Sequence, residues 1–291
     1  MKWTGIFQTA VISMLVVTST SLFAKTGFVD LPHTGDVPSA YVLCNPTGEY
    51  GLANSSPPDN GNDTCSITSP ELIKSALNAP LEGFNLVGVM VSDVAMPAPY
   101  AGQANAVAVL SEAIWRNKEN TQCVLATHLH MKDAPLANGE YWEVTDIARG
   151  GFAGKDVAIA YFHKPHSEEI GGNTEVLFRA GRSFTSVPTV AGTPLPTTKN
   201  APSANTAISN ENAAALSENW VNFTTDVSFK DTDVSTRAIS SIFYIRYNCD
   251  ARDPINKPSA IHLRTTMQNG QKPLELAVPG LIPVDAVLEQ F

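Results

Sequence analysis

Clusters of basic residues are missing from this chain, and so are the short motifs that mark most catalytic and nucleotide-binding sites. Charged residues make up only 16%, with 19 Lys and Arg against 28 Asp and Glu and a net charge of −9. An acidic chain without a basic stripe offers nucleic acid no electrostatic footprint, so no nucleic-acid partner is expected. The patterns G-x-S-x-G, H-E-x-x-H, C-x-x-C-H and G-x-x-x-x-G-K-[ST] are all absent. They would supply, in turn, a serine nucleophile, a zinc site with its base, a haem attachment and a phosphate cradle. Active sites can be assembled from distant residues, so an enzyme stays among the readings, but last among them. No C-x-x-C occurs either, which argues against a cysteine-ligated metal. Beyond residue 24 no stretch approaches the roughly 18 apolar residues of a helical span, so no membrane crossing is expected in the mature chain.

What the chain does have begins at its N-terminus. Lys2 precedes an apolar run over residues 6–17, and small residues then lead to Ser21-Leu22-Phe23-Ala24. Charge, apolar segment and small-residue exit, in that order, are the pattern of a secretory signal peptide over residues 1–24, cleaved after Ala24. Export to the periplasm, the cell surface or the medium is therefore expected. Removing that segment takes away Lys2 and no acid, so the remainder is one unit more acidic.

Export gives the four cysteines a meaning. Cys44, Cys65, Cys123 and Cys249 form an even set, and an oxidising compartment turns such a set into disulfides. Three pairings are possible; Cys44–Cys65 and Cys123–Cys249 are expected. The first encloses a polar segment with little apolar content to hold it, where a loop of about 20 residues makes a bridge worth roughly 3 kcal/mol. The second joins two expected strands from the middle and the end of the chain.

Low charge, 43% hydrophobic residues, 19 Gly and 20 Pro suit a turn-rich β protein. Strands are expected over residues 41–44, 84–91, 122–131, 141–147, 157–163, 175–180, 220–229, 239–249, 260–267 and 273–278. Residues 104–116 mix helical composition with partial alternation; they are read as the first strand of a hairpin into 122–131. Asn269-Gly270 is a tight-turn signal between the last two strands. Ser69-Pro70-Glu71 opens a short helix, and residues 211–217 make one or two helical turns. Residues 185–208, rich in Pro, Thr, Ala and Asn, form a loop or linker. The expected fold is mainly β: an antiparallel β-sandwich with long loops and one or two short helices, as a single domain over residues 25–291.

Histidine is the chemically suggestive residue here. In Thr127-His128-Leu129-His130-Met131, a strand places His128 and His130 on one face and Leu129 and Met131 on the other. Their roots then stand roughly 7 Å apart, close enough for two ring nitrogens to reach one metal ion. His163 and His166, at the end of another strand, could complete the site. Neutral imidazole suits copper, favoured here, and zinc. Surface histidines on a half-exposed strand are the plainer alternative, and His262, between Ile261 and Leu263, is read as an outward residue. Asp59-Asn60-Gly61-Asn62-Asp63 offers oxygen ligands for calcium, a weaker expectation because the same residues build ordinary turns.

Two functional readings follow. One is an exported disulfide-containing β-sandwich binding a transition metal through His128, His130, His163 and His166. The other is a cell-surface or extracellular structural or interaction protein, with an unidentified partner and neither metal nor catalysis. The export reading is checked directly by the intact mass of the protein secreted by its own host, which is expected to begin at Lys25. A product that retains Met1 or its neighbours would contradict it.

Overall fold

The computed structural model describes residues 27–31, 41–43, 77–162, 179–184, 217–230, 238–265 and 274–288. The described residues form twelve strands: β1 (Val29–Asp30), β2 (Tyr41–Leu43), β3 (Phe84–Val94), β4 (Ala108–Asn117), β5 (Gln122–Met131), β6 (Glu143–Arg149), β7 (Val157–Phe162), β8 (Arg179–Gly181), β9 (Val221–Ser228), β10 (Ile242–Asn248), β11 (Ile255–Thr265) and β12 (Leu274–Ile282). They build two six-stranded sheets, β1-β7-β10-β5-β4-β3 and β12-β11-β6-β9-β8-β2. Every neighbouring pair is antiparallel. The mainly-β, antiparallel two-sheet architecture read from the sequence is thus the observed one. No helix occurs among the described residues, so none there is long and apolar enough to cross a membrane. The helical turns expected over 69–77 and 211–217 fall almost wholly outside those residues, as does all of 185–208.

The sheets face each other through alternate side chains. Leu110, Ile114, Leu125, Leu129, Phe243 and Ile245 of the first sheet meet Ile147, Val221, Phe223, Val227, Ile261, Leu263 and Ile282 of the second in one core. Phe223 stacks on Phe243 across the gap, with centroids 5.3 Å apart and planes 14° from parallel. Each such buried side chain contributes about 1.5–3 kcal/mol relative to exposure. β4 explains why residues 104–116 read ambiguously. Its inward residues, Leu110 and Ile114, join the main core, while outward Ala113 and Trp115 join a second cluster with Val124, Ala126, Ala160, Phe162 and Tyr244. A strand buried on both faces cannot alternate cleanly.

Turn chemistry fixes the β4–β5 hairpin. Asn117 Oδ1 accepts the amides of Thr121 and Gln122, and Asn120 takes φ = 56°, a left-handed value that Asn tolerates better than most residues. The expected disulfide Cys123–Cys249 is present, with Cα atoms 5.8 Å apart. It ties β5 to the residue just after β10, because those two strands are neighbours with Cys123 opposite Tyr247. Cys44 and Cys65 lie outside the described residues.

A buried ion pair clasps the sheets together. Glu112 of β4 and Arg149 of β6 meet at 2.6 Å, both side chains 0% exposed. Leu281 of β12 closes the ring, its amide donating to Glu112 Oε2 at 2.7 Å and its carbonyl accepting from Arg149 Nη2 at 2.7 Å. Thr127 of β5 donates to the other Glu112 oxygen at 3.4 Å. Gly280 leaves the guanidinium its space: a Cβ there would sit 2.4 Å from Arg149 Nη1 and 2.7 Å from Ile261 Cγ1. Burial pushes the Glu112 carboxyl up and the Arg149 guanidinium down, further than their mutual attraction restores. The pair therefore sets geometry more than it adds stability. Glu112→Gln or Arg149→Met alone is expected to cost about 3–5 kcal/mol by stranding a buried charge. The Glu112→Met, Arg149→Met double variant should cost far less than the sum, as measured by urea unfolding.

Candidate functional site

β5 presents its histidines as the alternation requires. Leu125, Leu129 and Met131 are buried in the core, while His128 is half-buried and His130 exposed on the outer face of the first sheet. Across β4, His128 stands opposite Ser111 and His130 opposite Val109. Ile239 bridges His130 from the segment leading into β10. Met131, turned into the core, is remote from this face as a soft ligand.

The strand that leads to His163 is not β5's neighbour. β7 ends at Phe162, and β10 lies between β7 and β5. Two strand spacings put the β7 and β5 backbones roughly 10 Å apart. His163 and His166 lie outside the described residues, as do Asp59, Asn60, Asn62 and Asp63. Among the described residues, no group of three or more His, Cys, Asp or Glu side chains is placed to hold a metal ion.

A second constellation, not singled out from the sequence, occupies the outer face of the second sheet. β11 pairs Arg264 with Glu275 of β12 on one side and with Asp146 of β6 on the other. Arg264 Nε donates to Glu275 Oε2 at 2.7 Å, and its Nη1 lies 3.1 Å from Asp146 Oδ1 and 2.6 Å from the Phe184 carbonyl oxygen. The guanidinium carbon stands 4.2 Å from the Phe184 ring centroid, a cation–π contact. Arg264 and Asp146 are buried, so these charge-assisted bonds replace water that burial has removed.

His262, two residues along β11, holds the other Glu275 oxygen. Its Nδ1 is 2.6 Å from Oε1, and its ring meets Phe184 and Trp220 edge to face at 5.2 and 5.1 Å. It is on the outer face as expected, yet only 14% of its side chain is exposed. The plain outward residue of the sequence reading is therefore a packed member of a His262–Glu275–Arg264–Asp146 chain. In the neutral ring the carboxylate selects the tautomer with hydrogen on Nδ1, which leaves Nε2 as an acceptor. Burial works to raise the Glu275 carboxyl, but the His262 hydrogen bond and the Arg264 charge outweigh it and hold it below its ordinary range. The sequence carried one signal for this chain. Asn269 and Gly270 lie outside the described residues, but Arg264 stands opposite Glu275, the register that a two-residue turn there would give.

Beside the disulfide, a recess of about 10 Å³ is lined by Ile114, Arg116, Tyr247, Pro254 and Asp285 among others. That is room for about one water molecule. Arg116 reaches over it to donate to the carbonyls of Ala251 and Arg252, which fixes the β10–β11 connection. Asn222, in the sequon Asn222-Phe223-Thr224, is fully buried in β9, so a glycan could not be attached there in the folded protein.

No family model, curated protein or solved structure matches this chain. Its site must be argued from its own residues.

The depressed Glu275 carboxyl predicts a pH effect. Its contribution to stability is fully present above the ordinary glutamate range and is lost as pH falls through the lower value of the folded state. Glu275→Gln is expected to flatten the acid limb of the stability curve, read as thermal midpoints from neutral pH downwards. An unchanged acid limb would contradict the pairing.

Proposed function

We propose that this chain is an exported β-sandwich that works outside the cytoplasm as a structural or interaction module, making its contacts through the open side of its first sheet. The observation that carries the reading is β3. It is an 11-residue strand at the sheet's edge, with Leu86, Val89 and Val91 exposed by 43%, 49% and 65%. Among the described residues β3 has β4 as its one neighbour, and an apolar row along such an edge is a site at which another chain can bind. The N-terminal pattern of charge, apolar run and small residues supports export, and the Cys123–Cys249 bridge fits an oxidising destination.

A second reading rests on one specific observation: His128 and His130 share an outer face, and His130 is exposed. In it they bind a transition metal, copper ahead of zinc, with His163 or His166 supplying a further nitrogen. The intervening β10 makes that third ligand depend on a reach past one strand.

Elemental mass spectrometry of the protein purified from outside its host's cytoplasm separates the two. The module reading expects recovery in that fraction, with no metal in either the wild type or the folded His128→Ala, His130→Ala variant. Near-stoichiometric copper or zinc that the variant lacks would replace it with the metal reading. Retention in the cytoplasm would overturn both.

A further inference from the structure

The four sheet edges are not treated alike. β1 and β2 present two and three residues, and β12 carries Pro279, which has no N–H to offer a new neighbour. β3 has 11 residues and neither Pro nor Lys. A bulge between Leu86 and Gly88 interrupts its pairing with β4, after which the register runs regularly to Val94. Edges of this length and composition are the ones that pair with other chains.

Charge narrows what can pair there. The chain is strongly acidic, yet Asp93 is the one charged residue of β3, and Lys132 already holds it at 2.6 Å. A cationic peptide would find no unpaired carboxylate along the strand, and a second acidic copy would meet no repulsion there. The outward residues Val89 and Val91, exposed by 49% and 65%, flank Met90 symmetrically.

We propose that two copies of this chain join through antiparallel pairing of their β3 edges about a two-fold axis at Met90. Val89 of each copy then faces Val91 of the other, and Gly88 faces Ser92. Cross-strand pairs of β-branched residues are favourable, and no like charges are opposed. The Asp93 of one copy falls opposite the Val87 of the other. Two six-stranded sheets become one continuous sheet of twice the width. The contact is isologous, so it closes at two copies. Its area is modest, and backbone hydrogen bonds carry much of the association, so the dimer is reversible and concentration-dependent. This inference rests on the module reading for the choice of surface and adds the identity of the partner.

Sedimentation velocity of the secreted full-length protein, over a wide concentration range, reads the outcome. The wild type is expected to move from monomer to twice the monomer mass as concentration rises. Val91→Lys changes a solvent-exposed side chain, so it should keep the wild-type melting temperature and remain monomeric throughout. A Val89→Cys, Val91→Cys variant should oxidise to a covalent dimer in which peptide mapping links position 89 of one copy to position 91 of the other. A wild type that stays monomeric at every concentration, a dimer that persists in Val91→Lys, or a cross-link between other positions would each overturn the pairing. Recovery outside the cytoplasm would be untouched by any of these, so the module reading stands or falls separately.

Discussion

Glu112 and Arg149 decide how the two sheets can sit. A sandwich held by apolar contacts alone can slide by small steps at little cost, because dispersion is non-directional. A carboxylate and a guanidinium enclosed between the sheets cannot slide without leaving a bare charge in an apolar interior. Leu281 then brings β12 into the same ring through both of its backbone groups. One contact therefore sets the relative positions of β4, β6 and β12. Residues around it conform: Gly280 yields space to the guanidinium. Gly150, the residue after Arg149, admits no Cβ, since one there would lie 2.6 Å from Leu288 and 2.9 Å from Trp220.

The outer faces of the two sheets have opposite characters. On the second sheet, Arg264 is a staple over three strands, and Phe184, Trp220 and His262 pack above it edge to face. Its polar groups are turned on one another. On the first sheet, one end is closed by the Trp115 and Tyr244 cluster, with Trp115 Nε1 donating to the Leu77 carbonyl at 3.0 Å. The other end holds the exposed Val89, Val91 and His130. The asymmetry leaves Leu86, Val89 and Val91 exposed on the β3 side of that sheet.

Much of the strand pattern was legible because a strand records its environment locally. β5 spans the expected residues 122–131, where Leu129 and Met131 alternate with His128 and His130. The β11–β12 register agrees with a two-residue turn at Asn269-Gly270. β3 and β12 run past the expected ends, 91 and 278, because an edge strand's limits are set by the neighbour it pairs with. The clasp left no local trace. Glu112 sits inside the mixed segment 104–116, and Arg149 lies past 147, the expected end of its strand. Only the juxtaposition of β4 with β6 makes them partners. The candidate metal site was legible to the same depth: the shared face of His128 and His130 follows from alternation, whereas the place of β7 relative to β5 is a matter of strand order. Strand order is set by packing between distant segments.

The position of β10 has a consequence for the order of synthesis. It lies between β5 and β7, both of which are made long before it. Until residue 248 has been delivered, β5 and β7 each have an unfilled edge, and the first sheet exists as two separate ribbons. A chain made from its N-terminus must therefore keep two apolar strands waiting for a third, which is when pairing with the wrong neighbour is easiest. The arrival of Cys249 beside Cys123 turns the late-arriving strand into a covalent latch. Maturation of this protein is complete only when its last third has been threaded into the middle of what was made first.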